Sequence, residues 1–212
     1  MMNKMSSSKG ADKPIAEIAS QTTLAMTKQK RVAVFGGAQP KEGDPVYQMG
    51  LRLGQLLGQA GYTVMTGGYI GTMEAVSRGA AEAGGHVIGV TCEEIEAWRP
   101  VKANPWVMEE WRLPSLRQRL FAMIDNCSAA IALPGGIGTL TELALTWNHL
   151  LIEALPPKPL ILVGEGWKAT VEQFFKAFGN YIPENQRRWA LFAPDVEQAV
   201  NHIVNWEQNE RR

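Results

Sequence analysis

The chain has 212 residues, 45% of them hydrophobic, enough for one substantial domain with its own core. Its 21 basic and 21 acidic residues cancel, so it lacks the basic excess of a general nucleic-acid binder. No apolar run reaches the roughly 18–20 residues of a membrane span, so neither nucleic acid nor a membrane is an expected partner.

Residues 1–30 are polar, rich in Ser and Lys and poor in core formers, which predicts a flexible tail with at most a weak helix over Ile15–Met26. They contain no apolar secretory segment. The first strand is "RVAVFGG", residues 31–37. Apolar residues at helical spacing follow, with Pro45 suited to the first turn and Gly61 to the stop. "YTVMTGG" is the second strand, "GTMEAVSRGAAEAGG" the second helix and "HVIGVT" the third strand. A loop is expected from Cys92 to Trp106, and "WVMEEW" leads out of it as a strand. "PSLRQRLFAMIDN" reads as a helix opened by Pro114, with Leu116, Leu120, Met123, Ile124 and Cys127 as its buried stripe. "AAIALPGG" is a strand, "TLTELALTWNHLLIEA" a helix and "PLILVG" a strand. Two later helices, "GWKATVEQFFKAFGNY" and "DVEQAVNHIVNW", complete a single domain over 31–206, and 207–212 form a C-terminal tail.

Continuous apolar strands alternating with amphipathic helices indicate an α/β fold, a Rossmann-like doubly wound parallel sheet with helices on both faces. Ligands in such sheets bind beyond the carboxyl ends of the strands. Three glycine-rich turns fall on that rim: "FGGAQP" with Gly36 and Gly37, "TGGYIGTME", and "PGGIGTLTE". Bare glycines make tight turns, and they also let a backbone close on an anion at a helix start. Two long turns, each ending in Gly-Thr before a helix, favour the anion. Neither GxGxxG nor a Gly-Lys-Ser/Thr ending is present, which leaves a mononucleotide or phosphorylated sugar.

Two carboxylates stand just past these turns. Thr139 and Glu142 have capping-box spacing, with Thr139 as cap. Beside a phosphate cradle Glu142 would instead touch a ribose. Glu74 is either a charge matched to the helix dipole or a second pocket acid. Arg117 and Arg119 fall on opposite edges of their helix's buried stripe, and periodicity does not choose between them. Trp98, Trp106 and Trp111 cluster around the loop, as a wall for a base or as dimer or core contacts. No histidine or cysteine spacing suits a metal, and none of the three turns holds a lysine for pyridoxal phosphate chemistry. No metal or cofactor is expected. The cysteine pattern points to a reduced, cytoplasmic setting.

"PGGIGTLTE", with "GGYIGTMEAV" and "LRQRLFAM", resembles the LONELY GUY family, the "lysine decarboxylase-like" proteins with a PGGxGTxxE motif. The resemblance covers residues 31–165. It implies a Rossmann-like homodimer that cleaves a nucleoside 5′-monophosphate to free base and ribose 5-phosphate. It puts Glu142 and Arg119 in the catalytic positions. Gly135, Gly136, Gly138 and Thr139 would hold phosphate, with Gly67, Gly68, Gly71 and Thr72 lining the other side. Leu120, Thr141 and Glu74 depart from the family pattern, standing where Lys, a second Glu and Gly are usual. They suggest a divergent branch close to molybdenum-cofactor carrier proteins, for which the alternative role is non-catalytic binding of a phosphorylated cofactor.

Overall fold

The computed structural model describes residues 30–210. Seven strands form one sheet: β1 (Arg31–Phe35), β2 (Thr63–Thr66), β3 (Val87–Cys92), β4 (Glu109–Leu113), β5 (Ala129–Ala132), β6 (Leu160–Val163) and β7 (Ala190–Ala193). Their order is β4-β3-β2-β1-β5-β6-β7, and every pairing is parallel. The helices are α1 (Pro45–Gln59), α2 (Thr72–Glu82), α3 (Glu93–Trp98), α4 (Leu116–Asp125), α5 (Ile137–Leu151), α6 (Glu165–Phe178), α7 (Glu184–Arg187) and α8 (Val196–Glu210).

Alternation along the strands builds two cores. Val32 and Val34 of β1 pack with Leu53 and Leu57 of α1, Val76 of α2 and Ile203 of α8. Ala33 and Phe35 face the other way, toward Met123 of α4, Leu143 and Trp147 of α5 and Trp167 of α6. Both faces are thus covered, as the unbroken apolar strands require. The α1 and α2 backbones touch: a Cβ on Gly54 would overlap the Val76 carbonyl, and one on Gly79 the Leu51 carbonyl.

The chain steps outward from β1 to β4, then returns to pair β5 on the other side of β1. The connections leaving β1 and β5 therefore diverge and open a crevice at their carboxyl ends, where doubly wound sheets bind ligands. At the opposite end of the sheet, Lys158 is buried. Its ammonium donates to the Ile124 and Cys127 carbonyls at the end of α4, at 2.7 and 2.8 Å.

The Cys92–Trp106 loop differs from expectation because α3 occupies its first half. Ser115, not Pro114, opens α4; its hydroxyl accepts the Gln118 amide N–H. The α4 stripe is shifted, since Leu116 is exposed and Arg119 is buried with Met123 and Ile124. The sequence reading passed over β7 and α7. The expected tail at 207–212 is helical through Glu210, and Glu207 pairs with Lys30 at 3.0 Å. The predicted tail at 1–30 and its helix lie outside the described residues, Lys30 excepted. No helix among the described residues is long and apolar enough to cross a membrane.

Candidate active site

The three glycine turns are stitched to one another. The Gly37 amide donates to the Pro134 carbonyl at 3.3 Å, and the Thr72 amide donates to the Gly37 carbonyl at 2.9 Å. The turn after β1 is thereby clamped between those after β2 and β5. A cleft of about 440 Å³ opens above the β1 and β5 turns.

One wall is the start of α5. Its N-cap is Gly136, which has no side chain to fold back. Thr139 is therefore the third residue of the helix and Glu142 lies in its second turn, so the expected capping box does not form. The amides of Ile137, Gly138 and Thr139 are left without intrahelical acceptors and sit at the positive end of the helix dipole. Gly36, Gly37, Gly136, Gly138 and Thr139 all line the cleft, while Gly135 lies just behind, against Thr139 and Gly37.

Glu142 and Arg119 meet in the floor, with side chains only 9% and 7% exposed. Arg119 Nε donates to the Val90 carbonyl at 2.7 Å, which fixes the guanidinium at the carboxyl end of β3. Nη1 donates to Glu142 Oε1 at 3.4 Å. Arg119 is the only ion-pair partner of Glu142 among the described residues. Burial pushes the Glu142 carboxyl up from 4.5 to about 7, while the charge and hydrogen bond of Arg119 pull it back down. A glycine at 67 is what admits the arginine: a Cβ there would overlap Arg119 Nη2.

The turn after β2 plays a different part from the one expected. Gly67, Gly68, Gly71 and Thr72 do not line the cleft. The Gly68 amide is taken by Thr66 Oγ1, and Asn104 donates to the Gly68 and Tyr69 carbonyls. What this turn contributes is side chains. Tyr69 and Met73 line the cleft, and the Arg119 guanidinium lies 5.9 Å from the Tyr69 ring centre. The Tyr69 hydroxyl accepts the Cys92 amide at 2.7 Å and donates to the Cys92 carbonyl at 3.1 Å, tying the turn to the root of α3. Glu74 faces a neighbouring hollow instead of the cleft.

Ile95, Trp98 and Arg99 form the outer wall. Trp98 is 80% exposed at the rim. The other two tryptophans are elsewhere: Arg78 covers Trp106, and Trp111 packs against Arg31 and donates to Glu109. Tyr69 was visible in the sequence as the aromatic standing between the glycines of its turn. Arg99 carried no comparable signal. No group of three or more His, Cys, Asp or Glu among the described residues is placed to hold a metal ion.

The result is a helix start with free amides beside a buried acid–cation pair. Known proteins similar to this chain fall into two groups. The chain is 32% identical over 180 residues to the cytokinin riboside 5′-monophosphate phosphoribohydrolase of Rhodococcoides fascians, covering 82% of this chain and 89% of the relative. It is 31% identical over 183 residues to the Oryza sativa subsp. japonica enzyme of that name, LOG, covering 81% and 71%. Among solved structures, the molybdenum cofactor binding protein of Rippkaea orientalis superposes with a TM-score of 0.67 at 23% identity, over 84% of this chain and 97% of that one. The molybdenum cofactor carrier protein of Chlamydomonas reinhardtii gives 0.63 at 24%, over 84% and 98%. These two likenesses are of fold. Residues 29–176 match the family described as LDcluster4, and the chain belongs to this SLOG cluster4 family.

Proposed function

We propose that the protein is a nucleoside 5′-monophosphate phosphoribohydrolase, which cleaves the N-glycosidic bond to give free base and ribose 5-phosphate. The observation that carries this reading is the buried Arg119–Glu142 pair in the floor of a cleft whose wall is a helix start without a side-chain cap. Relatives at 31–32% identity bear the name of that activity.

The 5′-phosphate sits on the amides of Ile137, Gly138 and Thr139, inside the turn formed by Gly36, Gly37, Gly135 and Gly136. That anchor sets the ribose over Glu142 and spends remote binding energy on orientation. As the bond between C1′ and the base breaks, its electron pair leaves with the base, which takes up a proton from solvent that Glu142 later returns when it gives up the proton it gains from water. The sugar gains oxocarbenium character, and the ionised Glu142 stabilises that charge. Water adds its oxygen to C1′ and passes a proton to Glu142. Arg119 keeps part of the Glu142 population ionised near neutral pH and holds the carboxylate in place.

The working unit in this reading is a cytoplasmic homodimer. Exposed apolar side chains along α5 and at the start of α4 support it, since Leu140, Leu116, Ile152 just past α5, and Ile137 at the cleft mouth are surfaces that a second copy would cover. Two free, buried cysteines, Cys92 and Cys127, suit a reducing compartment.

The test is a panel of nucleoside monophosphates assayed for free base and ribose 5-phosphate. Base release that disappears in Glu142→Ala, with nucleotide binding retained, is the expected result. Absence of release across the panel, or release unchanged in Glu142→Ala, refutes the reading. Co-purification of a phosphorylated pterin in the absence of release would mark a carrier instead.

A further inference from the structure

A second hollow of about 320 Å³ adjoins the cleft. Ala38, Gln39 and Arg99 line both cavities. Tyr47 of α1 and Glu74 of α2 line it as well. Glu74 is half-buried and forms no salt bridge among the described residues. Its natural partner one turn on, Arg78, is already engaged by Glu42 at 2.7 Å and Glu82 at 2.8 Å. The Tyr47 phenol is held above its usual range, first by burial and then by the charge of Glu74. The hollow therefore contains a carboxylate with free lone pairs.

It also contains cations without a carboxylate partner among the described residues, of which Arg99 lies 5.8 Å from the Trp98 ring centre. Arg99 makes no salt bridge among the described residues, and its Nε is buried with no hydrogen-bond partner. Gln39 and Lys41 stand on the same rim. An unpaired carboxylate and donors lining one hollow make a pattern that selects among bases.

We infer that this hollow is the base subsite and that it reads a 2-amino-4-oxopyrimidine edge, the edge shared by guanine and pterins. Glu74 accepts the ring imino and exocyclic amino N–H groups side by side, and Arg99 donates to the carbonyl oxygen. Adenine presents one amino donor next to a ring nitrogen lone pair. That lone pair would face a carboxylate oxygen, which is a repulsive contact. The inference rests on the proposed function, with phosphate at the start of α5 and ribose at Glu142, and it adds the identity of the base.

Calorimetric titration of GMP, IMP and AMP into Glu142→Ala protein measures the subsite without turnover. Base release by the wild-type chain is followed in parallel. GMP is expected to bind at least about tenfold tighter than AMP, with IMP between them, because a site built for two donors rejects a base that lacks one. Adding Glu74→Gln, or separately Arg99→Ala, is expected to narrow the GMP-to-AMP ratio to within about twofold, chiefly by weakening GMP. Equal or tighter AMP binding overturns the inference. So does a ratio that survives Glu74→Gln, or a variant that weakens both nucleotides alike. A GMP preference without base release from any nucleotide leaves the subsite standing and removes the hydrolase. Equal release from all three does the reverse.

Discussion

Glu142 should titrate near neutrality, and both turnover and folding should register it. Its carboxyl is pushed up to about 7 by burial, with Arg119 at 3.4 Å limiting the rise. If the ionised form stabilises the oxocarbenium, kcat/KM falls about tenfold for each pH unit below 7 and levels off above it. The substrate phosphate, with a second pKa of about 6, adds its own step. The pH dependence of inhibition by ribose 5-phosphate measures that step and removes it. The carboxyl ¹³C resonance of Glu142, identified by its loss in Glu142→Gln, reports the titration directly. Folding supplies an independent magnitude. Between pH 4.5 and about 7 the native state holds a proton that the unfolded chain has released. This contribution is fully present below pH 4.5 and is lost as pH rises through about 7. The interval corresponds to about 3 kcal/mol, undiminished by solvent because the side chain is only 9% exposed. Glu142→Gln should flatten that part of the pH–stability curve. A corrected kcat/KM that stays flat from pH 5.5 to 8, or a carboxyl resonance that titrates below 5, refutes the reasoning.

Arg119→Gln removes the cation that draws the Glu142 titration down, so the ¹³C midpoint should move above 7 and turnover at neutral pH should fall. A midpoint that stays put or drops would contradict the pairing. Gly67→Ala places a methyl on Arg119 Nη2. It should displace the guanidinium from the Val90 carbonyl and cost about 1.5–3 kcal/mol in urea unfolding, the range for hydrogen bonds to charged groups, with kcat/KM reduced in the same variant. Wild-type kinetics in Gly67→Ala would show that the arginine has room elsewhere. Tyr69→Phe strands the Cys92 amide that the phenol now receives. A loss of about 1–3 kcal/mol is expected by thermal or urea unfolding, and unchanged stability would mean that water replaces the hydroxyl.

The strands were legible because burial on both faces leaves unbroken apolar runs such as Val32–Phe35 and Leu160–Val163, which no amphipathic helix shows. β7 escaped because Ala190–Ala193 is short and follows a polar segment without period. α3 escaped for the opposite reason: its sequence, Glu-Glu-Ile-Glu-Ala-Trp, buries no residue, so no stripe announces it. Glu142 and Arg119 were named by motif position, yet their burial was not. Local rules read Thr139–Glu142 as a cap and did not choose between Arg117 and Arg119 at the edges of their helix's stripe. Tertiary contacts decided both. Gly136 took the cap, and the Val90 carbonyl together with the space over Gly67 gave the guanidinium a buried seat. The β2 turn misled in the same way. Its glycines serve close packing and the arginine, the Gly68 amide is taken by Thr66 and the Thr72 amide by Gly37.

Lys158 sits at the end of the sheet remote from the cleft, yet it belongs to the same mechanical train. Its ammonium grips the trailing turn of α4, and Arg119 rides the leading half of that rod. Sliding the rod would drag the guanidinium off Val90 and away from Glu142. Substitutions in the segment Pro156–Pro159 that loosen this grip are therefore expected to shift the Glu142 titration. Random mutagenesis for altered pH optima should return hits there as well as around the substrate.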